Sequence, residues 1–320
     1  MKRVLIIIAA ALAAVLLIYG VVWLAMGWVV YPQFYSGVRQ VHRLPDLWGG
    51  FIPQGTTYQN GTYYVCGYMT GDENSRLYVY SGDSVKKIIL LREDGSDYGG
   101  HAGGVTAAGD FIYISNASKL FVLKRAEVDA AGDGDTVKFM GHIEVPCRAS
   151  FCSSDGKNVY VGEYHAEGYE TEDSHIVAAS DGEKYAALVF AYALDSAQPL
   201  GIAAQPVPSA VYAVCDKVQG FAVDDKNRAV LSCSSGLEPS LLRTYDLAGK
   251  ADSEFEGAPL YILDSKRAVS TLKIPHMSED LEFRDGKLMF SFEAGAKKFG
   301  GGILPCSVCS LSELEDYISR

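Results

Sequence analysis

This sequence has no long amphipathic helical pattern, and no Lys/Arg-rich stripe follows its first three residues. The first absence argues against helical bundles, whose apolar stripe must recur every three to four positions. The second, with a formal net charge of −11, excludes nucleic acid as a partner, because phosphate backbones are held by basic surfaces. Also missing are G-x-S-x-G, H-E-x-x-H, a P-loop, and a G-x-G-x-x-G between strand and helix. The Asp-containing stretches "GDGD" at 132–135 and "DDKNR" at 224–228 lack the spacing and terminal Glu of an EF-hand and read as turns.

Cysteine is sparse and odd in number, with seven residues at 66, 147, 152, 215, 233, 306 and 309. If disulfides framed an exported domain, at least one thiol would stay unpaired. Several lie within apolar strand-like runs such as "YYVCGY", where Cys behaves as a small hydrophobe. Cys306 and Cys309 form a lone C-x-x-C without a second pair at zinc spacing.

What is present begins with a hydrophobic segment. Lys2 and Arg3 precede an uncharged apolar run from Val4 to Val30. As a helix rising ~1.5 Å per residue it would be about 40 Å long, more than the ~30 Å hydrocarbon core of a bilayer. A cleavable signal peptide has a shorter apolar region of about 7–15 residues, followed by a small-residue exit site. Trp23, Trp28 and Tyr31 fall where interfacial aromatics belong, and the two cations favour the cytoplasmic side. The reading is a cytoplasmic stub, transmembrane anchor and short linker over 1–34, with residues 35–320 outside the cytoplasm. A cleaved signal peptide is the alternative.

The remainder is rich in Gly (33 residues) and Tyr (20), and it repeats. "QGTTYQNGTYYVCGY" from Gln54 is a strand, an Asn-Gly turn and a second strand. The same rhythm returns from Gly103, Ser150, Gln219 and, near the C-terminus, in "EDLEFRDGKLMFSFEA" from Glu279. A third alternating run follows each pair, and a fourth follows in most units. Four strands per unit at spacings of ~45–70 residues predict an all-β fold, a β-propeller of four-stranded blades. Five blades are favoured, and six would result if the long third unit were split in two. The fifth unit lacks an outer strand, and the unpartnered run 37–44 would supply it, closing the ring and removing exposed edges.

This organisation resembles the broad group of exported bacterial propellers that includes the NHL, strictosidine-synthase-like and gluconolactonase-like types. The resemblance is carried by short repeated openings: Pro53-Gln54-Gly55, His101-Ala102-Gly103-Gly104, Val218-Gln219-Gly220 and Met277-Ser278-Glu279. It supports a fold, since propellers host many unrelated functions.

In a propeller the inner strands line a central channel, so equivalent positions of different units become neighbours. The opening positions Gln54, Gly103, Ser150, Gln219 and Glu279, with His101 nearby, should meet at one mouth. Glu163 and Glu293, just after second strands, should join them. Gln54, Ser150 and Gln219 either cap channel-facing backbone or bind a ligand. His101, flanked by glycines, either staples a blade junction or approaches a ligand closely. Unit three carries an insertion from His165 to Tyr185 that should overhang the mouth, as a solvated loop or a lid.

Two functional expectations follow. The first is a binding module whose mouth holds a small polar ligand, a glycan or an envelope protein, because amides orient ligands without titrating. The second, implied by the gluconolactonase-like resemblance, is a metal-dependent lactonase or ester hydrolase. There Glu163, Glu279 and Glu293 would hold a divalent cation such as calcium, Gln54 and Gln219 would be neutral ligands, and His101 the general base. Cys147 and Cys215, which precede inner strands of neighbouring blades, are the thiol pair expected to meet.

Overall fold

The computed structural model describes residues 2–180, 182–303, 307–315 and 317–318. Cys306, half of the lone C-x-x-C, lies outside them. Helix α1 (Lys2–Val30) is the apolar run, uninterrupted because nothing in it breaks a helix. Pro32, which lacks an N–H, sits in the first turn of the short α2 (Pro32–Gly37), and β1 (Val38–Arg43) follows.

Five blades then follow in order. Blade 1 comprises β2 (Phe51–Gln59), β3 (Thr62–Met69), β4 (Arg76–Ser81) and β5 (Ser84–Leu91). Blade 2 has β6 (Gly104–Ala108), β7 (Phe111–Asn116) and β8 (Lys119–Lys124). After α3 (Arg125–Ala130), β9 (Thr136–Lys138) pairs with β5 of blade 1, and β10 (Gly141–Glu144) completes blade 2. Blade 3 begins with β11 (Phe151–Ser154) and β12 (Asn158–Gly162). Its insertion forms a small hairpin, β13 (Val177–Ala178) with β14 (Lys184–Tyr185), before β15 (Ala187–Ala193) and β16 (Ala210–Val214). The long third unit is therefore one blade with a decorated loop, and the six-bladed alternative falls.

Blade 4 comprises β17 (Val218–Val223), β18 (Arg228–Cys233), β19 (Ser240–Asp246) and β22 (Ala268–Ile274). Between its last two strands, β20 (Ser253–Phe255) and β21 (Ala258–Ile262) extend blade 3 outward. Blade 5 holds β23 (Ser278–Arg284), β24 (Lys287–Phe292) and β25 (Ser310–Leu314). Its fourth strand is β1, with Val38 opposite Leu314 and Arg43 opposite Ser310. The ring thus closes as the sequence predicts, and the inner strands pack in the cycle β2, β6, β11, β17, β23 and back to β2.

Local chemistry sets the hairpins. Asn60-Gly61 and Asp285-Gly286 both take positive φ, the requirement of a tight two-residue turn whose twist matches the strands. The alternating side chains of each blade then pack against its neighbours. Leu77 and Ile88 of blade 1 meet Val105 and Ile114 of blade 2, all fully buried. Each such side chain stabilises the ring by about 1.5–3 kcal/mol relative to exposure. Tyr31 and Phe34 are buried between blades 4 and 5, where Phe34 lies 6.2 Å from the Phe290 ring and 6.0 Å from Phe292.

Candidate functional site

Inner strands start at one face of the ring, called here the mouth. Gln54, His101, Ser150, Gln219 and Glu293 line one cavity of about 520 Å³ there, with Arg148, Tyr164 and Tyr169 on its walls. The buried Gln54 amide donates to Glu293 Oε2 at 3.3 Å and to the Pro53 carbonyl at 3.1 Å. Gln219 donates to Glu279 Oε1 at 3.5 Å, and Glu279 is buried just beneath the floor. Ser150 donates to the Arg148 carbonyl at 3.0 Å and accepts the Tyr164 N–H at 3.2 Å. The His101 ring stacks on Tyr68 at 4.7 Å, and the Tyr68 hydroxyl accepts from Lys298 at 2.9 Å.

Burial sets the electrostatics of this floor. It pushes Glu293 up to about 7, against the opposing pull of the Gln54 amide and Lys298. Burial, then the charges of Glu293 and Asp280, push Glu279 well above the usual carboxylate range. His101 is lowered, first by the protein packed around it and then by Lys298, both of which favour the neutral imidazole. The floor therefore offers amides, one carboxyl held well above the usual range and one that titrates near neutrality.

Glu163 is elsewhere. Its Oε1 accepts the Leu188 N–H of β15 at 3.1 Å and meets His175 Nδ1 at 2.8 Å, with both side chains buried. Burial would lower His175, but the Glu163 hydrogen bond and charge hold its pKa above the ordinary value. The insertion has folded a histidine back onto the carboxylate, because a lone buried charge is costly. Tyr169 of the same insertion does reach the mouth. Glu170 of the insertion accepts the Gly168 N–H at 2.8 Å. Among the described residues no group of three or more His, Cys, Asp or Glu is placed to hold a metal ion. The expected trio of Glu163, Glu279 and Glu293 with calcium is thereby corrected, since Glu163 is committed to His175 and β15.

Two acids that the column reasoning passed over fill the channel below. Where blades 1, 2 and 4 carry Gly55, Gly104 and Gly220, blade 5 carries Asp280, and a Cβ on Gly104 would stand 2.6 Å from its Oδ2. Two residues on, Glu282 accepts hydrogen bonds from the hydroxyls of Thr57 and Thr106. The signal was present in the aligned columns: glycine in three units and an acid in the fifth leave room for one side chain to cross the axis. Beyond this plug the far end opens into a larger cavity of about 730 Å³ rimmed by hairpin turns. Asp155 and Asp224 serve their own turns there, Asp155 accepting from the Lys157 and Asn158 N–H groups at 2.8 and 2.7 Å and Asp224 from those of Lys226 and Arg228 at 3.0 and 2.7 Å. The mouth is therefore the better candidate for ligand binding.

The cysteines rearrange the sequence expectation too. Cys215, just past β16, has its sulfur 3.6 Å from that of Cys233 at the end of β18. Cys147 is buried and its partner in sequence reasoning, Cys215, has turned to blade 4 instead.

No protein-family model matches the chain, and no curated protein does. Solved structures do. The PQQ-bound aldose sugar dehydrogenase from Streptomyces coelicolor is 13% identical, with 80% of this chain and 78% of that one covered and a TM-score of 0.44. A putative oxidoreductase (glucose dehydrogenase) from Thermus thermophilus is 12% identical, with 80% and 78% covered and a TM-score of 0.41. Hydrazine synthase from Kuenenia stuttgartiensis is 13% identical at a TM-score of 0.38; 75% of this chain is covered, and the chain spans 55% of that protein's length. By its own strand pairing the chain is a five-bladed β-propeller behind one N-terminal apolar helix, long enough to span a membrane or to be a signal sequence.

Proposed function

We propose that this chain is a membrane-anchored, extracytoplasmic propeller whose mouth binds a small polar ligand, with a glycan unit as the ligand class. The observation that carries the reading is the convergence of Gln54, His101, Ser150, Gln219 and Glu293 on one cavity, each brought there by a different blade or the loop that enters it. Amides donate and accept at once, which suits sugar hydroxyls. Tyr164 and Tyr169, 5.8 Å apart, give apolar ring surface beside them. The anchor part rests on the length and hydropathy of α1 and on Lys2 and Arg3 at its start.

The test is a panel of neutral, acidic and amino sugars added to the full chain in detergent, read by saturation-transfer NMR. Gln219→Ala and Tyr169→Ala should each weaken binding by roughly 3–10-fold, the worth of about one hydrogen bond or ring contact. Amino sugars should bind more tightly as pH rises through about 7, when Glu293 gains its charge. No sugar binding, or binding untouched by both substitutions in folded protein, would sink the reading. Capture of an envelope protein instead would redirect it.

A further inference from the structure

The direction in which the apolar helix leaves the propeller decides what the mouth faces. At the end of the chain's first segment, Val38 pairs with Leu314, which in turn lies opposite Leu288 at the start of β24. That level is the far end from the mouth. Phe34 is higher, between Phe290 and Phe292, and Tyr31 and Tyr35 continue helical hydrogen bonding back to Gly27 and Tyr31. Higher still, the Tyr19 hydroxyl donates to the carbonyl of Ile303, in the mouth-side loop that follows β24. Gly20, Trp23, Gly27 and Val30 form the partly covered stripe of α1, whereas residues 2–19 are exposed all round. The helix therefore rises along blades 4 and 5 and projects beyond the ring on the mouth side.

The loops around that exit match a bilayer surface. Trp48, Leu237 and Ile303 are 57%, 65% and 59% exposed, on the mouth-side loops of blades 1, 4 and 5. Trp48 donates from its indole nitrogen to the Gly301 carbonyl at 3.2 Å, so it stands beside Ile303 and the helix. In a chain of net charge −11, the exposed Lys297 and Lys298 belong to this same blade-5 loop. The acidic insertion of blade 3 lies across the mouth from it. From Val4 to Val22 the helix spans about 28 Å at ~1.5 Å per residue, close to the ~30 Å hydrocarbon core. That register puts Trp23 and the loop tips in the interfacial zone that aromatic and cationic side chains favour, with Tyr19 less than one turn inside the core edge and its hydroxyl turned to the Ile303 carbonyl.

We infer that the mouth-side rim of blades 4, 5 and 1 docks on the headgroup layer of the bilayer that α1 crosses. The propeller leans with its acidic blade-3 loop lifted, and the mouth opens along the membrane surface. The inference rests on the anchor reading above. A ligand reaching the cavity then comes from the bilayer surface.

The three tryptophans of the chain, at 23, 28 and 48, make this testable by quenching with acyl-chain-brominated phospholipid in vesicles carrying the full chain. Three single-tryptophan proteins are needed. One keeps Trp48, with Trp23→Phe and Trp28→Phe. The other two replace all three tryptophans with Phe and add Leu12→Trp, in mid-helix, or Val207→Trp, 81% exposed between β15 and β16 at the far end. The expected result is strong quenching at position 12, clear quenching at Trp48 and none at position 207. Quenching at 12 with Trp48 as unquenched as 207 would overturn the docking and leave the anchor standing. No quenching at 12 would overturn the anchor and the docking together.

Discussion

Glu282, on the inner strand of blade 5, accepts a hydrogen bond from the Thr57 hydroxyl on the inner strand of blade 1, and its second oxygen accepts from Thr106 of blade 2. One side chain from the last repeat thus ties together the first two. Asp280 lies above it with Oδ1 on the Leu281 N–H at 2.9 Å and, among the described residues, no hydrogen-bond partner within normal geometry for Oδ2. The channel of this propeller is closed by acids from a single strand, which separates the mouth cavity from the one at the far end.

The plug should make stability depend on pH. Burial pushes Glu282 up to about 8, against the pull of the Thr106 and Thr57 hydroxyls, while an unfolded glutamate titrates near about 4.3. Between those values the folded chain holds a proton that the unfolded chain has released, so stability falls as pH rises from about 5 to about 8. Glu282→Gln cannot titrate, and its melting temperature should fall less steeply over the same range. Identical slopes for the two proteins would remove Glu282 from the account.

The glycine beside the plug is a packing requirement. A Cβ on Gly104 would stand 2.4 Å from the Cys152 nitrogen and 2.6 Å from Asp280 Oδ2, contacts that no ordinary side chain tolerates. Gly104→Ala should lower stability to denaturant by about 1–3 kcal/mol through overpacking. Gly20→Ala, with nothing within 4 Å of its added carbon, is the matched control and should leave the midpoint unchanged. An unaltered midpoint for Gly104→Ala would mean that the inner strands sit further apart than described.

Cys215 and Cys233 are placed to form a bridge between blades 3 and 4. Their sulfurs are 3.6 Å apart, and closing that gap to a bond of about 2.05 Å needs only a small movement. The hydrogen bond from Cys233 is the leading cause that lowers Cys215, against burial, and a lowered thiol is the better nucleophile. Exposure to oxidised glutathione should consume both thiols, their two hydrogens leaving with the glutathione, which is reduced to two thiols. The closed loop should add about 3 kcal/mol of stability. Cys215→Ser should abolish the gain, and retention of all free thiols after oxidant would refute the placement.

Much of the architecture was legible in the sequence because it is written locally. Asn60-Gly61 and Asp285-Gly286 announce hairpins through backbone angles that only a few residues accept. The alternation in "KLFVLK" or "ALVFAYA" marks half-buried strands, and the run before Pro32 marks a helix. Even closure could be argued from a strand without a partner at each end, since a sheet edge seeks one. The mouth column was legible as well, because a repeat fixes which positions become neighbours around an axis.

What the sequence could not decide was how side chains far apart in the chain resolve their charges and volumes once the ring closes. The position after a second strand placed Glu163 at the mouth, but a histidine 12 residues on and a β15 N–H drew it away. Asp280 and Glu282 are simply polar positions of the strand-like run "SEDLEF", and only glycines and threonines contributed by other blades make them a plug. Cys215 chose blade 4 for the same reason. The side from which α1 leaves the ring was fixed by the packing of Phe34 and the reach of Tyr19 to Ile303. Turns and periodicities are properties of a few adjacent residues, whereas pairing, desolvation and direction are properties of the assembled ring.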